Sequence, residues 1–220
     1  MRINAIFSRP AMVIAGRSEW TRSPANGVDR IMLDRIGDEV ARATSIVRYA
    51  PGSQFSRHEH PEGEEFLVLE GVFSDEHGHY PAGTYVRNPP GSGHTSFSID
   101  GCRILVKLRQ FDPSDISPVV IDTRDESLWK TKESARHPDL PLHRFGPEKV
   151  QMLRLQEGRD YTTAAGIGGI EIFVVSGSVT YAGYELVDES WLRLSAGTNL
   201  SLNANSTTTL WIKSGHLPNE

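Results

Sequence analysis

The sequence predicts an all-β protein built from two similar barrels or sandwiches, and two observations lead to that fold class. The clearest secondary-structure signals are short β-branched and aliphatic runs separated by glycine turns, and no long helical period is evident. Similar runs also recur at a constant distance along the chain. The clearest runs are residues 44–49, 104–109, 169–175 and 208–213. Many short strands between turns are typical of antiparallel barrels and sandwiches.

The recurrence has an offset of 106 residues. Strand pattern 66–69 matches 172–175, and 105–107 matches 211–213. Trp20 matches Trp129 once a three-residue insertion is allowed. Three glycines recur at the same offset: Gly52, Gly71 and Gly91 correspond to Gly158, Gly177 and Gly197. A constant offset shared by turns and strands predicts two copies of one domain.

Length and composition fit a protein of two domains. A chain of 220 residues can form two cores of about 100 residues each. The 23 basic and 28 acidic side chains give a net charge of −5 without a basic stripe, so we do not expect nucleic acid as a partner. The single cysteine, Cys102, forms no internal disulfide and favours a reducing, cytoplasmic location. No apolar stretch reaches the roughly 18 residues needed to cross a membrane.

Three histidines and one glutamate are the most informative residues. His58 and His60 alternate along a short strand, so both side chains point to the same side. After a turn at 61–63, Glu64 begins what reads as the returning antiparallel strand and faces the two imidazoles. His94 follows a Pro/Gly-rich turn and arrives from a more distant strand. These ligands suit zinc, iron, manganese or nickel, so the sequence predicts one divalent metal site.

The spacing of these residues resembles two known motifs. The first cupin motif is matched by Gly52, His58, His60, Glu64 and Gly71, and the second by Gly83, Pro89, Gly91 and His94. Ser98 stands where the second motif usually has Asn, a position that is not normally a ligand. Residues 64–76 and 80–92 are similar to the cupin domain of the ChrR group, and the resemblance covers roughly residues 17–112. It implies a double-stranded β-helix (jelly-roll, RmlC-like) fold, with zinc as the expected metal.

Resemblance and repeat together predict a bicupin, that is, two tandem jelly-roll domains. Residues 1–112 form the expected metal-binding domain, 113–140 a linker of changed, charged composition, and 141–220 the second domain. Shifted by 106, the four ligand positions fall on Ala164, Gly166, Ile170 and Leu200. None of these side chains binds a metal, so the second domain is expected to be metal-free, with Ile170 and Leu200 packing its interior.

Residues of the same strand parity as the ligands are expected to line the pocket. They are Gln54, Ser56, Phe66, Val68, Ser96 and Ser98. Their mixed polarity suits a small, partly polar molecule. No catalytic acid or base follows from the spacing, so catalytic residues stay unassigned. His77 and His79 lie in a polar turn and are expected to be exposed.

Three functions remain open. The ChrR resemblance implies a small-molecule or oxidative-stress sensor. A sigma factor is not expected as a direct partner, because the anti-sigma part of that group is a separate helical domain with a Cys-x-x-Cys pair, and this chain has only Cys102. The alternative is a metal-dependent enzyme: a dioxygenase of diketone or catechol-like substrates, or a hydrolase or isomerase. A purely structural metal is the third. Edge pairing of cupin sheets favours a homodimer.

Overall fold

The protein is almost entirely β-structure. The structure, a computed structural model, describes residues 1–130 and 137–218. Within these ranges the only helical element is a 3₁₀ turn at Glu126–Leu128, and all other regular elements are strands. The predicted all-β class is therefore confirmed. Residues 131–136 of the expected linker lie outside the described residues. None of the described segments forms a helix with the length and apolar character that spanning a bilayer requires.

The chain divides into two compact units whose boundaries differ from the expected ones. The N-terminal unit comprises Met1–Ala5 and Glu19–Arg124, and the C-terminal unit comprises Ile6–Ser18 and Asp125–Glu220. The first part of the expected linker carries a strand of the N-terminal unit, Val119–Asp122. The segment Ile6–Ser18 joins the C-terminal unit because its strand completes a sheet there, a non-local pairing that local sequence patterns do not reveal.

The N-terminal unit contains one large antiparallel sheet and a small two-stranded one. Its strands are β1 (Arg2–Ile3), β3 (Thr21–Arg22), β4 (Val28–Gly37), β5 (Ala41–Tyr49), β6 (Ser53–Gln54), β7 (His58–His60), β8 (Glu64–Asp75), β9 (Gly78–Pro81), β10 (Thr84–Asn88), β11 (Ser92–His94), β12 (Phe97–Ser98), β13 (Cys102–Leu108) and β14 (Val119–Asp122). The large sheet has the order β1-β4-β5-β13-β8-β10-β14, with short strands β3, β6, β9 and β12 attached, whereas β7 pairs only with β11.

The C-terminal unit contains two antiparallel sheets. Its strands are β2 (Ala11–Val13), β15 (Asp139–Phe145), β16 (Glu148–Leu155), β17 (Asp160–Ala164), β18 (Ile170–Ser176), β19 (Ser178–Tyr181), β20 (Tyr184–Val187), β21 (Trp191–Leu194), β22 (Asn199–Ala204) and β23 (Thr208–Ser214). The six-stranded sheet has the order β15-β16-β23-β18-β21-β2, and the four-stranded sheet has the order β17-β22-β19-β20.

Strand registers repeat between the units at the offset seen in the sequence. The pairs of β8 with β13 include Leu67 opposite Leu105, and those of β18 with β23 include Phe173 opposite Trp211, each 106 residues later. A β-bulge interrupts both pairings at the equivalent place. It lies between Val68 and Glu70 on β8 and between Val174 and Ser176 on β18, again 106 residues apart. The first strands, β4 and β15, share a bulge at an offset of 109, whereas their partners on β5 and β16 are offset by 106, so the three-residue insertion lies after the bulge, towards the turn between β4 and β5.

Each unit has its own apolar core. In the N-terminal unit the core includes Phe66, Val68 and Val106. In the C-terminal unit it includes Ile170 and Leu200, which are 4% and 1% exposed. Both side chains fill the interior as expected from the sequence.

Candidate metal centre

The four predicted ligand residues come together in the N-terminal unit. His58, His60, Glu64 and His94 each offer one ligand atom, and these atoms lie within 4.8 Å of one another. The three imidazole rings have centroids 4.8 to 4.9 Å apart. His60, Glu64 and His94 are buried, whereas His58 is partly exposed. Three nitrogens and a carboxylate at this separation can surround one divalent ion.

The strands that deliver the ligands pair differently from the expected hairpin. β7 pairs with β11, so that His58 lies opposite His94 and Ser92 opposite His60. Glu64 begins β8, which pairs with β10 and β13 instead. The turn starts as predicted, with Gly63 N donating to His60 O at 3.1 Å, but it directs the chain away from β7 into the large sheet.

Hydrogen bonds from surrounding groups orient three of the ligands. His94 Nδ1 lies 3.0 Å from Asp75 Oδ2, and His58 Nδ1 lies 2.9 Å from the Ser56 carbonyl oxygen. Asn88 Nδ2 donates to Glu64 Oε2 at 3.0 Å. An imidazole whose Nδ1–H is donated in this way keeps its Nε2 lone pair for a metal.

Unpartnered nitrogen atoms in this cluster fit a cation. Nε2 of His60 and Nε2 of His94 are buried, and neither has a hydrogen-bond partner among the described residues. They lie 3.4 and 3.5 Å from Glu64 Oε2. Buried polar atoms in native proteins nearly always have a partner, so their convergence on one carboxylate indicates a metal site.

Burial and neighbouring charges act differently on the two buried histidines. Burial lowers the pKa of His60, which favours the neutral imidazole that a metal requires. Burial also acts to lower the pKa of His94, but its hydrogen bond to Asp75 and the Glu64 carboxylate raise it overall. Burial acts to raise the pKa of Asp75, and its hydrogen bonds with His94 and the His77 amide lower it overall, so this carboxylate stays ionised.

A cavity of 310 Å³ in the N-terminal unit reaches His58, His60 and Glu64. Its aliphatic wall comes mainly from strands β4, β5 and β13, and its polar wall includes three arginines. The apolar lining includes Val28, Val47, Ile104, Val106, Leu108 and Phe55, and the charged lining also includes Arg30, Arg35, Arg109, Glu39 and Glu59. This volume is at the lower end of small-molecule sites, so the ligand cluster opens onto space for a small organic molecule.

Tyr49 also lines the cavity and was not predicted as a site residue. Its hydroxyl lies 3.1 Å from Ser96 Oγ, and burial raises the pKa of the phenol. The hydroxyl therefore stays protonated and able to donate a hydrogen bond. Its inward position follows from the alternation along β5 that also places Val47 and Ser45 in the wall, which is the signal that could have identified it.

None of the six residues expected to line the pocket borders this cavity. Phe66 and Val68 are buried in the apolar core, and Ser98 donates to the Val72 carbonyl oxygen at 2.7 Å. Gln54 and Ser56 are exposed, and Ser96 contacts the Tyr49 hydroxyl. Parity selects a side of a sheet, but core packing already occupies that side along β8. His77 and His79 are exposed as predicted and lie outside the ligand cluster.

The equivalent positions in the C-terminal unit carry no such group. Ala164 and Gly166 are exposed, and Ile170 and Leu200 belong to the apolar core. The strand frame of that unit is therefore combined with a hydrocarbon interior.

Residues 8–112 match the family of ChrR cupin-like domains, a little under half of the chain. No curated protein sequence matches the chain.

Solved structures resemble the chain over most or nearly all of its length. A protein from Nostoc punctiforme described as a candidate dioxygenase has a TM-score of 0.78 and 13% identity, covering 98% of this chain and 86% of that one. The pirin YhhW from Escherichia coli in complex with nickel(II) has a TM-score of 0.70 and 15% identity, covering 96% and 100%. A variant of salicylate 1,2-dioxygenase from Pseudoaminobacter salicylatoxidans has a TM-score of 0.62 and 14% identity, covering 79% and 71%. Such low identities show a shared cupin fold and not a shared activity.

Proposed function

We propose that this cupin protein binds one divalent metal ion through His58, His60, Glu64 and His94 and uses it to act on a small organic ligand in the adjoining cavity. The observation that carries the proposal is the cavity of 310 Å³ that reaches three of the four ligands. A purely structural metal is enclosed by its ligands, whereas a functional one keeps a position that an outside molecule can reach. The space beside the cluster favours the second kind.

The donor set limits the chemistry without fixing the metal. Iron or manganese held by three imidazoles and a carboxylate supplies oxygen activation, and zinc supplies Lewis-acid polarisation or a hydrolytic water. Diketones and catechol-like enolates suit the first case, because such molecules carry two oxygens that could chelate one ion. We therefore propose a metal-dependent dioxygenase of such substrates, with hydrolase or isomerase activity as the form that zinc would support.

The chain's own side chains have defined tasks in this proposal. The aliphatic wall of Val47, Ile104 and Val106 excludes water from the ligand. Tyr49 lines the cavity and keeps a neutral hydroxyl because burial raises its pKa, and this hydroxyl would donate a hydrogen bond to an oxygen atom of the ligand in exchange for its contact with Ser96 Oγ. Asp75 holds the His94 ring in place.

A sensor is the second candidate, and the match of residues 8–112 to the ChrR cupin-like domains favours it. Zinc is then the proposed metal, and ligand binding at the site would be the signal. Direct sigma-factor inhibition is not part of this proposal, because the described residues include no α-helical region to carry it. We also propose that the two units are tandem cupin domains, supported by their common strand registers, and that the protein forms a homodimer through sheet edges.

Metal analysis combined with an oxygen-uptake screen tests these proposals. The protein is purified without added ions, its metal content is measured, and catechol and acetylacetone are supplied in air. Iron or manganese with oxygen consumption supports the dioxygenase. Zinc with ligand binding but no turnover supports the sensor. Protein that takes up no metal even after incubation with zinc or iron would contradict both.

A further inference from the structure

Two arginines of β4 share the cavity wall with the metal cluster. Arg30 lies opposite Val47 and Arg35 opposite Ala43 in the pairing of β4 with β5. Residues five apart on a regular strand point to opposite sides, but the bulge between Met32 and Asp34 restores a common side. Both arginines consequently line the same cavity.

Arg30 is incompletely paired within the protein. Its side chain is 16% exposed, and its two Nη atoms lie 3.0 and 3.4 Å from the Glu39 carboxylate. Its Nε is buried and has no hydrogen-bond partner among the described residues. Glu39 itself is 62% exposed, so solvent screens much of its attraction.

Arg35 adds a second cation, and this one is buried. It is 3% exposed, and its Nη2 donates to the Asp38 carbonyl oxygen instead of a carboxylate. Burial and the charge of Arg30 lower the pKa of Arg35, and the nearby carboxylates of Glu39 and Asp38 offset this only in part. The other charged wall residues are Arg109, which pairs with Glu62, and the carboxylates of Glu39, Glu59 and Glu64. Glu64 faces the imidazoles of the metal cluster.

We propose that the ligand of this cavity is a small carboxylate-bearing molecule, with its carboxylate bound by Arg30 and Arg35 and a pair of oxygens at its other end bound by the metal. This inference rests on the proposed function. The planar guanidinium fork matches a carboxylate, and an anion offsets the cost of one buried and one partly buried cation. The aliphatic residues between these polar groups suit a ring or short hydrocarbon chain.

Calorimetric titration of the metal-loaded protein with two matched probes tests the inference. The probes are 3,4-dihydroxybenzoate and 4-methylcatechol, which share the metal-binding catechol and differ by a carboxylate or a methyl group on the ring. We expect the carboxylate probe to bind at least about tenfold more tightly, because charge-assisted arginine pairs are among the stronger polar contacts.

Substitutions separate the effect of the arginine from the intrinsic difference between the probes. Arg30→Gln should remove most of the preference while leaving 4-methylcatechol affinity and metal content unchanged. Arg103→Gln is the matched control, since Arg103 pairs with Glu70 and is not part of the cavity wall. Glu39→Gln removes the group that competes for Arg30 and should tighten the carboxylate probe alone by up to about fivefold, the range of an exposed ion pair. It carries the test if Arg30→Gln does not fold.

The outcomes distinguish this inference from the proposed function. Equal affinity for both probes, or a preference that survives Arg30→Gln, would overturn the carboxylate assignment while catechol binding still supported the metal site. A Glu39→Gln variant that weakens the carboxylate probe would also overturn it. Absence of binding by both probes to metal-loaded protein would overturn the proposed function together with the inference.

Discussion

The two units share a strand frame but differ at the positions that determine chemistry. Both carry a row of fully buried charged residues across three neighbouring strands. The row is Arg87, Glu65 and Lys107 in the N-terminal unit and Arg193, Glu171 and Lys213 in the C-terminal unit. The four ligand positions, in contrast, hold Ala164, Gly166, Ile170 and Leu200 in the C-terminal unit. Arg30 likewise has Asp139 as its counterpart by register.

The difference separates residues of the shared strand pattern from those proposed to have a function. Side chains that both units share, such as the buried charged row, belong to the common strand pattern. Side chains that only the N-terminal unit has, the ligands and Arg30, are not needed to form it. The C-terminal unit forms the same registers around an apolar interior, so the strand registers themselves do not require the four proposed ligand side chains.

The largest expected effect comes from converting the N-terminal site towards the C-terminal one. His60→Ala should remove most bound metal, because it deletes a central, buried ligand. Metal content measured by mass spectrometry after dialysis checks this. His79→Ala is the matched control, since His79 is an exposed histidine outside the cluster, and it should retain its metal. Full retention by His60→Ala would reject the proposed ligand set.

The next largest effect is expected from a substitution that tests whether apolar packing, without a metal, stabilises the C-terminal interior. Leu200→Ala should destabilise the protein by about 2–5 kcal/mol, because it leaves a cavity in a closely packed core. Urea denaturation measures the change, and it should be the same with and without a chelator. A chelator-dependent loss would mean that the C-terminal unit also uses a metal.

A smaller effect is expected from the residue that orients a ligand. Asp75→Asn removes the charge beside His94 Nδ1, and metal affinity should fall by about 10–100-fold. Competition with a chelator of known affinity measures it. Asp122→Asn serves as a control, because Asp122 pairs on the surface with Arg124. Unchanged affinity in Asp75→Asn would show that the ring needs no such support.

The smallest effect concerns the limits of the cavity. Gln54→Ala should change stability by no more than about 0.5 kcal/mol and leave catechol affinity unaltered, because Gln54 is exposed and outside the cavity wall. Tyr49→Phe, by comparison, should weaken catechol binding without loss of metal. If Gln54→Ala weakened catechol binding more than Tyr49→Phe, the ligand would instead bind beside the residues predicted from strand parity.

Sequence spacing was sufficient to predict which four side chains come together, but not the cavity beside them. His58 and His60 share a side by simple alternation, and the repeat offset predicted the apolar replacements Ile170 and Leu200. The cavity wall depends on which strands lie beside the cluster. That arrangement follows from long-range pairing, as in the pairing of β7 with β11. Arg30 and Arg35 point to the same side of β4 because of a β-bulge, and no pattern of residues in the sequence predicts that bulge.

The domain boundaries show the same limit, as the edge strands β14 and β2 illustrate. Residues 113–124 were expected in a linker, but Val119–Asp122 forms the edge strand beside β10. The equivalent edge of the C-terminal unit, beside β21, is formed by Ala11–Val13. A prediction that assigns each segment to the domain nearest in sequence therefore places β2 in the N-terminal unit, although β2 belongs to the C-terminal one.

This strand has a consequence for how the polypeptide matures on the ribosome. Ala11–Val13 is synthesised early, whereas its partner Trp191–Leu194 is synthesised near the end of the chain. The strand therefore has no pairing partner during most of translation. A C-terminal fragment that begins at residue 125 would lack β2. The backbone edge of Trp191–Leu194 that pairs with β2 would then be unpaired and accessible to other molecules. We expect such a fragment to aggregate or to borrow a strand from a neighbour, and a synthetic peptide of residues 6–18 to restore it to a monomer.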